Sequence, residues 1–156
     1  MIATTAGWLS RRLGRGGGTT LPGALLTRWR RDAVGAMRHK LGDGALVISA
    51  TNGKTTTARL IVDCARADER RLVTNPSGAN LMSGVATALL RAPARHAQGR
   101  LGLFEVDEAA LPEVVRQLEP RVIVLMNLFR DQLDRYGELE HLAERWRTML
   151  TALPAT

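Results

Sequence analysis

The chain predicts an α/β fold, a parallel sheet with helices on both faces and a phosphate-binding loop at the end of its first strand. Three observations lead there. From Ala45 onward, short runs of continuous Val, Ile and Leu alternate with amphipathic stretches, the pattern of strands buried on both faces. The segment Ala45-Leu46-Val47-Ile48, then Ala50-Thr51-Asn52-Gly53-Lys54-Thr55-Thr56-Thr57, has the order strand, tight turn, Lys-Thr, helix that a P-loop needs. The distinctive polar clusters Thr51–Thr55, Asn75–Asn80, Glu105–Glu108 and Asn127–Asp134 each fall at the carboxyl end of an expected strand, where ligands of such sheets collect.

The elements follow in order. Residues 1–43 are expected to form a basic helical appendage: a short helix at Ala6–Leu13, the connector Gly14-Arg15-Gly16-Gly17-Gly18, and a helix near Gly23–Leu41. Pro22 suits a first turn and Gly42 a C-terminal cap. No strand precedes the glycine run, which argues for a connector rather than a second phosphate loop. Residues 44–156 form the second unit. Its strands are expected at Ala45–Ser49, Arg71–Thr74, Leu101–Val106 and Val122–Met126, and its helices at Thr55–Ala67, Gly78–Leu90, Ala110–Leu118 and Glu138–Leu153. The crossovers between parallel strands should be right-handed.

Composition narrows the function classes. At 156 residues the chain can bury one core, and it holds no apolar run near the length of a membrane span. Its one cysteine, Cys64, excludes a disulfide within the chain and is expected in the core, in keeping with a reducing cytoplasm. The net charge is +7, and Arg11, Arg12, Arg15, Arg28, Arg30 and Arg31 all precede the first acid, Asp32. Such an end is a solvated helix face, a surface for anionic lipid or polyphosphate, or a targeting segment. Nucleic acid is not an expected partner.

The chemistry concentrates in the loop. Backbone N–H groups at a helix N-terminus face phosphates, Lys54 reaches the β/γ-oxygens, and the Thr55 hydroxyl can ligate Mg²⁺. Gly53 lets the backbone approach without a Cβ. Thr51, Asn52, Gly53, Lys54, Thr55, Thr56 and, from the second cluster, Asn80 are the nucleotide-binding candidates. One departure stands out: the full P-loop pattern wants glycine at position 48, where the chain has Ile48. Glu105 ends a strand after the loop unit, where nucleotide-bound Mg²⁺ takes a carboxylate. The competing explanation, an acid that favours a helix macrodipole, suits Asp107 and Glu108 better.

The run Asn127-Leu128-Phe129-Arg130-Asp131-Gln132-Leu133-Asp134-Arg135-Tyr136-Gly137 resembles the N-x-x-x-D-H-L-D-x-x-G stretch of the Mur ligase family. These ATP-dependent ligases also carry the Thr-Asn-Gly-Lys-Thr-Thr loop and a magnesium-binding glutamate at the position of Glu105. Gln132 replaces the family's metal-ligating histidine and offers only a weak carbonyl ligand. The segments Asn75-Pro76-Ser77-Gly78-Ala79-Asn80-Leu81-Met82 and Phe104-Glu105-Val106-Asp107-Glu108-Ala109 narrow the resemblance to the MurT branch, a subunit type of lipid II isoglutaminyl synthase.

That resemblance implies ATP and Mg²⁺ as cofactors, and activation of the D-glutamate α-carboxylate of the lipid II stem peptide. It further implies amidation by ammonia from a GatD-type glutaminase, at the inner face of the cytoplasmic membrane. It places a zinc ribbon and a C-terminal domain beyond Thr156, so residues 1–156 are expected to bind ATP without amidating alone, and no catalytic residue is assigned within them. The alternatives are a truncated non-catalytic nucleotide-binding fragment, a conventional Mur ligase, or a folylpolyglutamate synthase.

Overall fold

The computed structural model describes residues 20–129 and 138–154. The helix and connector expected at 6–18, and Gln132 with its neighbours, lie outside them. The elements are α1 (Leu21–Trp29), a 3₁₀ helix (Gly35–Lys40), β1 (Ala45–Ser49), α2 (Lys54–Ala67), β2 (Arg71–Thr74), α3 (Met82–Arg91), β3 (Arg100–Glu105), α4 (Leu111–Leu118), β4 (Val122–Leu125) and α5 (Glu138–Thr151).

All strand pairs are parallel, in the order β2-β3-β1-β4. The chain leaves β1 toward one edge and later crosses to the other. A crevice therefore opens at the carboxyl end of β1. Strand periodicity divides the core in two. Ala45 and Val47 of β1 and Phe104 of β3 join the larger cluster with α3, α4 and Trp146 of α5. Ile48 and Leu103 turn to the other face and meet Ala58 of α2, with Leu46, Ile61 and Val62 partly buried around them. Helices thus cover both faces, α2 on one and the rest on the other.

Ile48 explains its departure from the P-loop pattern. It is fully buried beneath α2, where a glycine would leave the smaller core short of a side chain.

Three expectations need correction. The single helix near Gly23–Leu41 is two pieces, because Gln117 of α4 captures the backbone between them. Val34 N–H donates to Gln117 Oε1 (3.1 Å), and Gln117 Nε2 donates to the Arg31 carbonyl (2.8 Å). Ala33 and Val34 are drawn into the core as a result. The helix expected from Gly78 begins at Met82, since residues 75–81 are spent on the strand ends: Asn75 Nδ2 donates to the Ala79 carbonyl, and Gly78 adopts a φ of 79°. Cys64 is exposed rather than in the core. It sits on α2 at the rim of a groove with Leu46, Ile61 and Leu101, because one helix does not span the sheet face it covers.

Pro22 does occupy the first turn of α1. Gly23 lies against α3, and its N–H donates to Thr87 Oγ1 at 2.9 Å. A Cβ there would lie 2.0 Å from the Ser83 carbonyl oxygen, so the α1–α3 crossing requires glycine.

Candidate nucleotide-binding site

The loop after β1 is built from backbone and one distant asparagine. Gly53 caps α2 at φ 85°, a left-handed conformation that glycine adopts without strain. Thr51 N–H donates to the Asn127 carbonyl at 2.9 Å, and Asn52 N–H to Asn127 Oδ1 at 3.0 Å. Asn127 Nδ2 returns a bond to the Asn52 carbonyl, and Phe129 N–H donates to Thr51 Oγ1. The segment after β4 therefore fixes the loop, and the N-terminal N–H groups of α2 remain as the donors a phosphate would meet.

Lys54 and Thr55 open α2. Lys54 Nζ donates to the Ala50 carbonyl and to Glu108 Oε2, the latter at 3.1 Å. Thr55 Oγ1 donates to Glu105 Oε2 at 3.0 Å. Glu105 is held at its backbone by Asn75, whose Oδ1 accepts from Glu105 N–H (3.0 Å) and whose Nδ2 donates to the Glu105 carbonyl (2.8 Å). A cleft of about 490 Å³ lies alongside, lined by Thr55, Arg59, Asn75, Ser77 and Glu105 among others.

The Thr55–Glu105 pair fits a magnesium ion. Two adjacent ligands on an octahedron with bonds of about 2.05 Å lie about 2.9 Å apart, close to the 3.0 Å between these oxygens. A hydroxyl and one carboxylate, completed by phosphate oxygens and water, is a normal donor set for this ion. No cluster of three or more His, Cys, Asp or Glu occurs among the described residues, and this donor set does not require one.

Thr51, Asn52, Gly53, Lys54, Thr55 and Glu105 thus converge at one strand end, while Thr56 is exposed on the first turn of α2. Asn80 lies beside the Glu105–Glu108 segment through its backbone: its carbonyl accepts from Asp107 N–H at 2.8 Å, linking the loops after β2 and β3. Gln132 lies outside the described residues. Sequence reasoning placed Asn75, Glu108 and Asn127 in the polar clusters at the strand ends without assigning any of them to the site. Asp107, expected as a helix N-terminal acid, instead closes a local turn ahead of α4, its Oδ1 accepting from Ala109 N–H, and Glu108 turns to Lys54.

The profile of the Mur ligase middle domain matches residues 48–156. The chain belongs to the Mur ligase family. Among its relatives, the lipid II isoglutaminyl synthase (glutamine-hydrolyzing) subunit MurT of Streptococcus pneumoniae is 37% identical over 128 residues, 82% of this chain and 28% of that protein. The subunit MurT of Staphylococcus aureus strain N315 is 33% identical over 139 residues, 89% of this chain and 31% of that protein. A more distant Mur ligase, the UDP-N-acetylmuramoylalanine--D-glutamate ligase of Nitrobacter winogradskyi, is 33% identical over 107 residues, 69% of this chain and 21% of that protein. The chain spans less than a third of the length of these relatives. Its resemblance to MurT covers most of its own residues and corresponds to an N-terminal part of those subunits.

Proposed function

We propose that residues 44–156 form the ATP-binding part of a MurT-like subunit. This part activates the D-glutamate α-carboxylate of the lipid II stem peptide for amidation to D-isoglutamine. The observation that carries this reading is the Thr55–Glu105 pair, 3.0 Å apart, beside Lys54 at the head of α2. The similarity to MurT subunits supports the substrate and the glutamine-derived ammonia.

The carboxylate attacks the γ-phosphorus of ATP, the bond to the β–γ bridging oxygen breaks, and ADP leaves. Ammonia delivered by a GatD-type glutaminase then adds to the acyl phosphate carbonyl, loses a proton, and expels inorganic phosphate. In the first step Lys54 and the α2 N-terminus orient the triphosphate and offset its charge. Asn75 holds Glu105 at the strand end, and Asn127 keeps the loop from moving away. Magnesium, held by Thr55 and Glu105, would neutralise charge on the β- and γ-oxygens. Gln132 is a weak further ligand in this proposal, and Thr56 and Asn80 line the nucleotide side.

Lys54→Ala should abolish ATP binding with the fold retained, measured by calorimetric titration and circular dichroism; undiminished affinity would sink the assignment. Amidation itself is tested with this sequence carried in a protein of MurT length, together with a glutaminase, lipid II, glutamine and Mg-ATP. Mass spectrometry of the stem peptide should show D-glutamate converted to D-isoglutamine, whereas an amino-acid adduct would favour a conventional Mur ligase.

A further inference from the structure

Lys54 is paired within the chain itself. Its ammonium lies 3.1 Å from Glu108 Oε2, and both side chains are largely shielded from solvent, at 13% and 15% exposure. A second N–H donates to the Ala50 carbonyl, so the group sits between the loop backbone and a carboxylate from the segment after β3. Glu108 has no other ion-pair partner among the described residues.

The backbone that carries Glu108 is also anchored. Trp146 Nε1 donates to the Glu108 carbonyl at 2.9 Å, and Arg145 Nη2 to the adjoining Ala109 carbonyl at 3.0 Å. Trp146 is buried in the larger core, which fixes the backbone from which Glu108 reaches Lys54.

We propose that Glu108 is a positioning residue that pairs with the P-loop lysine when no nucleotide is bound and hands it to the incoming triphosphate. This rests on the nucleotide reading above and goes beyond it by naming what the nucleotide displaces. A triphosphate and a carboxylate compete for one ammonium. With little water to screen them, an unreleased Glu108 would also repel the phosphates. Occupancy by Glu108 holds Lys54 in place when no nucleotide is bound, at a cost in ATP affinity.

Glu108→Gln keeps the shape and removes the charge. It should tighten ATP binding about fivefold or more in calorimetric titration, the lower end of a typical coupling between two occupants of linked sites. Glu108→Ala should shift affinity in the same direction, and thermal melts of both variants check the fold.

A second readout exists because Lys40 and Lys54 are the only lysines in the chain. With ¹³C-lysine labelling and no nucleotide, Glu108→Gln should move one ε-carbon signal, assigned to Lys54 by its loss in Lys54→Ala. Saturating Mg-ATP should bring the wild-type and Glu108→Gln signals together. Affinity that is equal or weaker in both variants, or a Lys54 signal unmoved by Glu108→Gln, overturns the handover while leaving ATP binding intact. A wild-type chain that binds no ATP sinks both readings.

Discussion

Thr55 and Glu105 come from opposite sides of the crevice, one from the head of α2 and one from the tip of β3, and meet through a single bond of 3.0 Å. If that contact is the place a magnesium ion enters, its loss should matter only when magnesium is present. Glu105→Gln keeps the size and a hydrogen-bond partner for Thr55 while removing the charge. ATP affinity should fall about tenfold with Mg²⁺, the loss of one charged ligand, and should match wild type in EDTA. An equal loss in both conditions would make Glu105 a structural acid instead. Thr55 was a candidate in the sequence because the P-loop is contiguous and its spacing is itself the mechanism, and Glu105 because it ends an apolar strand. Asn75, Asn127 and Glu108 escaped because their partners lie 30, 75 and 54 residues away, and nothing local in an asparagine or glutamate announces a distant backbone or lysine.

The elements were legible wherever burial and period agreed. Strands β1 and β2 match their expected bounds, and β3 and β4 differ by a residue. The apolar runs of the central β1 and β3 fix strands buried on two faces, while the edge strands β2 and β4 are only partly buried. The sequence erred where a distant polar side chain outbid local propensity. Gln117 breaks the helix expected to Leu41, from 83 residues away at Val34. Cys64 sits on the apolar side of a helix whose own pattern does not say how wide a sheet it must cover. Contact between elements is equally specific at Gly23, where α1 touches α3 through backbone. Gly23→Ala would force the Ser83 carbonyl and Thr87 hydroxyl away and break the Gly23 N–H bond to Thr87. Overpacking of this kind costs about 1–3 kcal/mol. The urea midpoint should drop accordingly with an unchanged m-value, and ATP affinity should be preserved, because α1 lies apart from the P-loop residues. A midpoint equal to wild type would mean that α1 is not docked in solution.

At the scale of the whole molecule, charge is distributed unevenly, and the structure adds what the sequence could not say about the basic end. Among the described residues, Arg28, Arg30 and Arg31 are exposed, and between them Trp29 projects with 87% of its surface in solvent, with Leu25 one turn earlier also exposed. No helix among the described residues is long and apolar enough to cross a membrane. A tryptophan flanked by arginines suits a bilayer interface, where the indole settles at headgroup level and each arginine contributes about 1 kcal/mol against anionic lipid. A solvated helix face would satisfy the arginines equally well, yet it gives no reason for a large aromatic ring to stand in water. The two accounts part on salt and on Trp29. If the surface meets the membrane that presents lipid II, the chain should co-sediment with phosphatidylserine vesicles. That binding should weaken as ionic strength approaches the physiological range and the Debye length contracts to about 8 Å. Converting Arg28, Arg30 and Arg31 to glutamate should abolish it, and Trp29→Ser should weaken it while leaving its salt dependence intact. The indole's emission should also shift to the blue on vesicles containing phosphatidylserine and stay fixed on neutral ones, a change that Trp29→Ser removes. Equal sedimentation of all three proteins would leave the arginines as a solvated face.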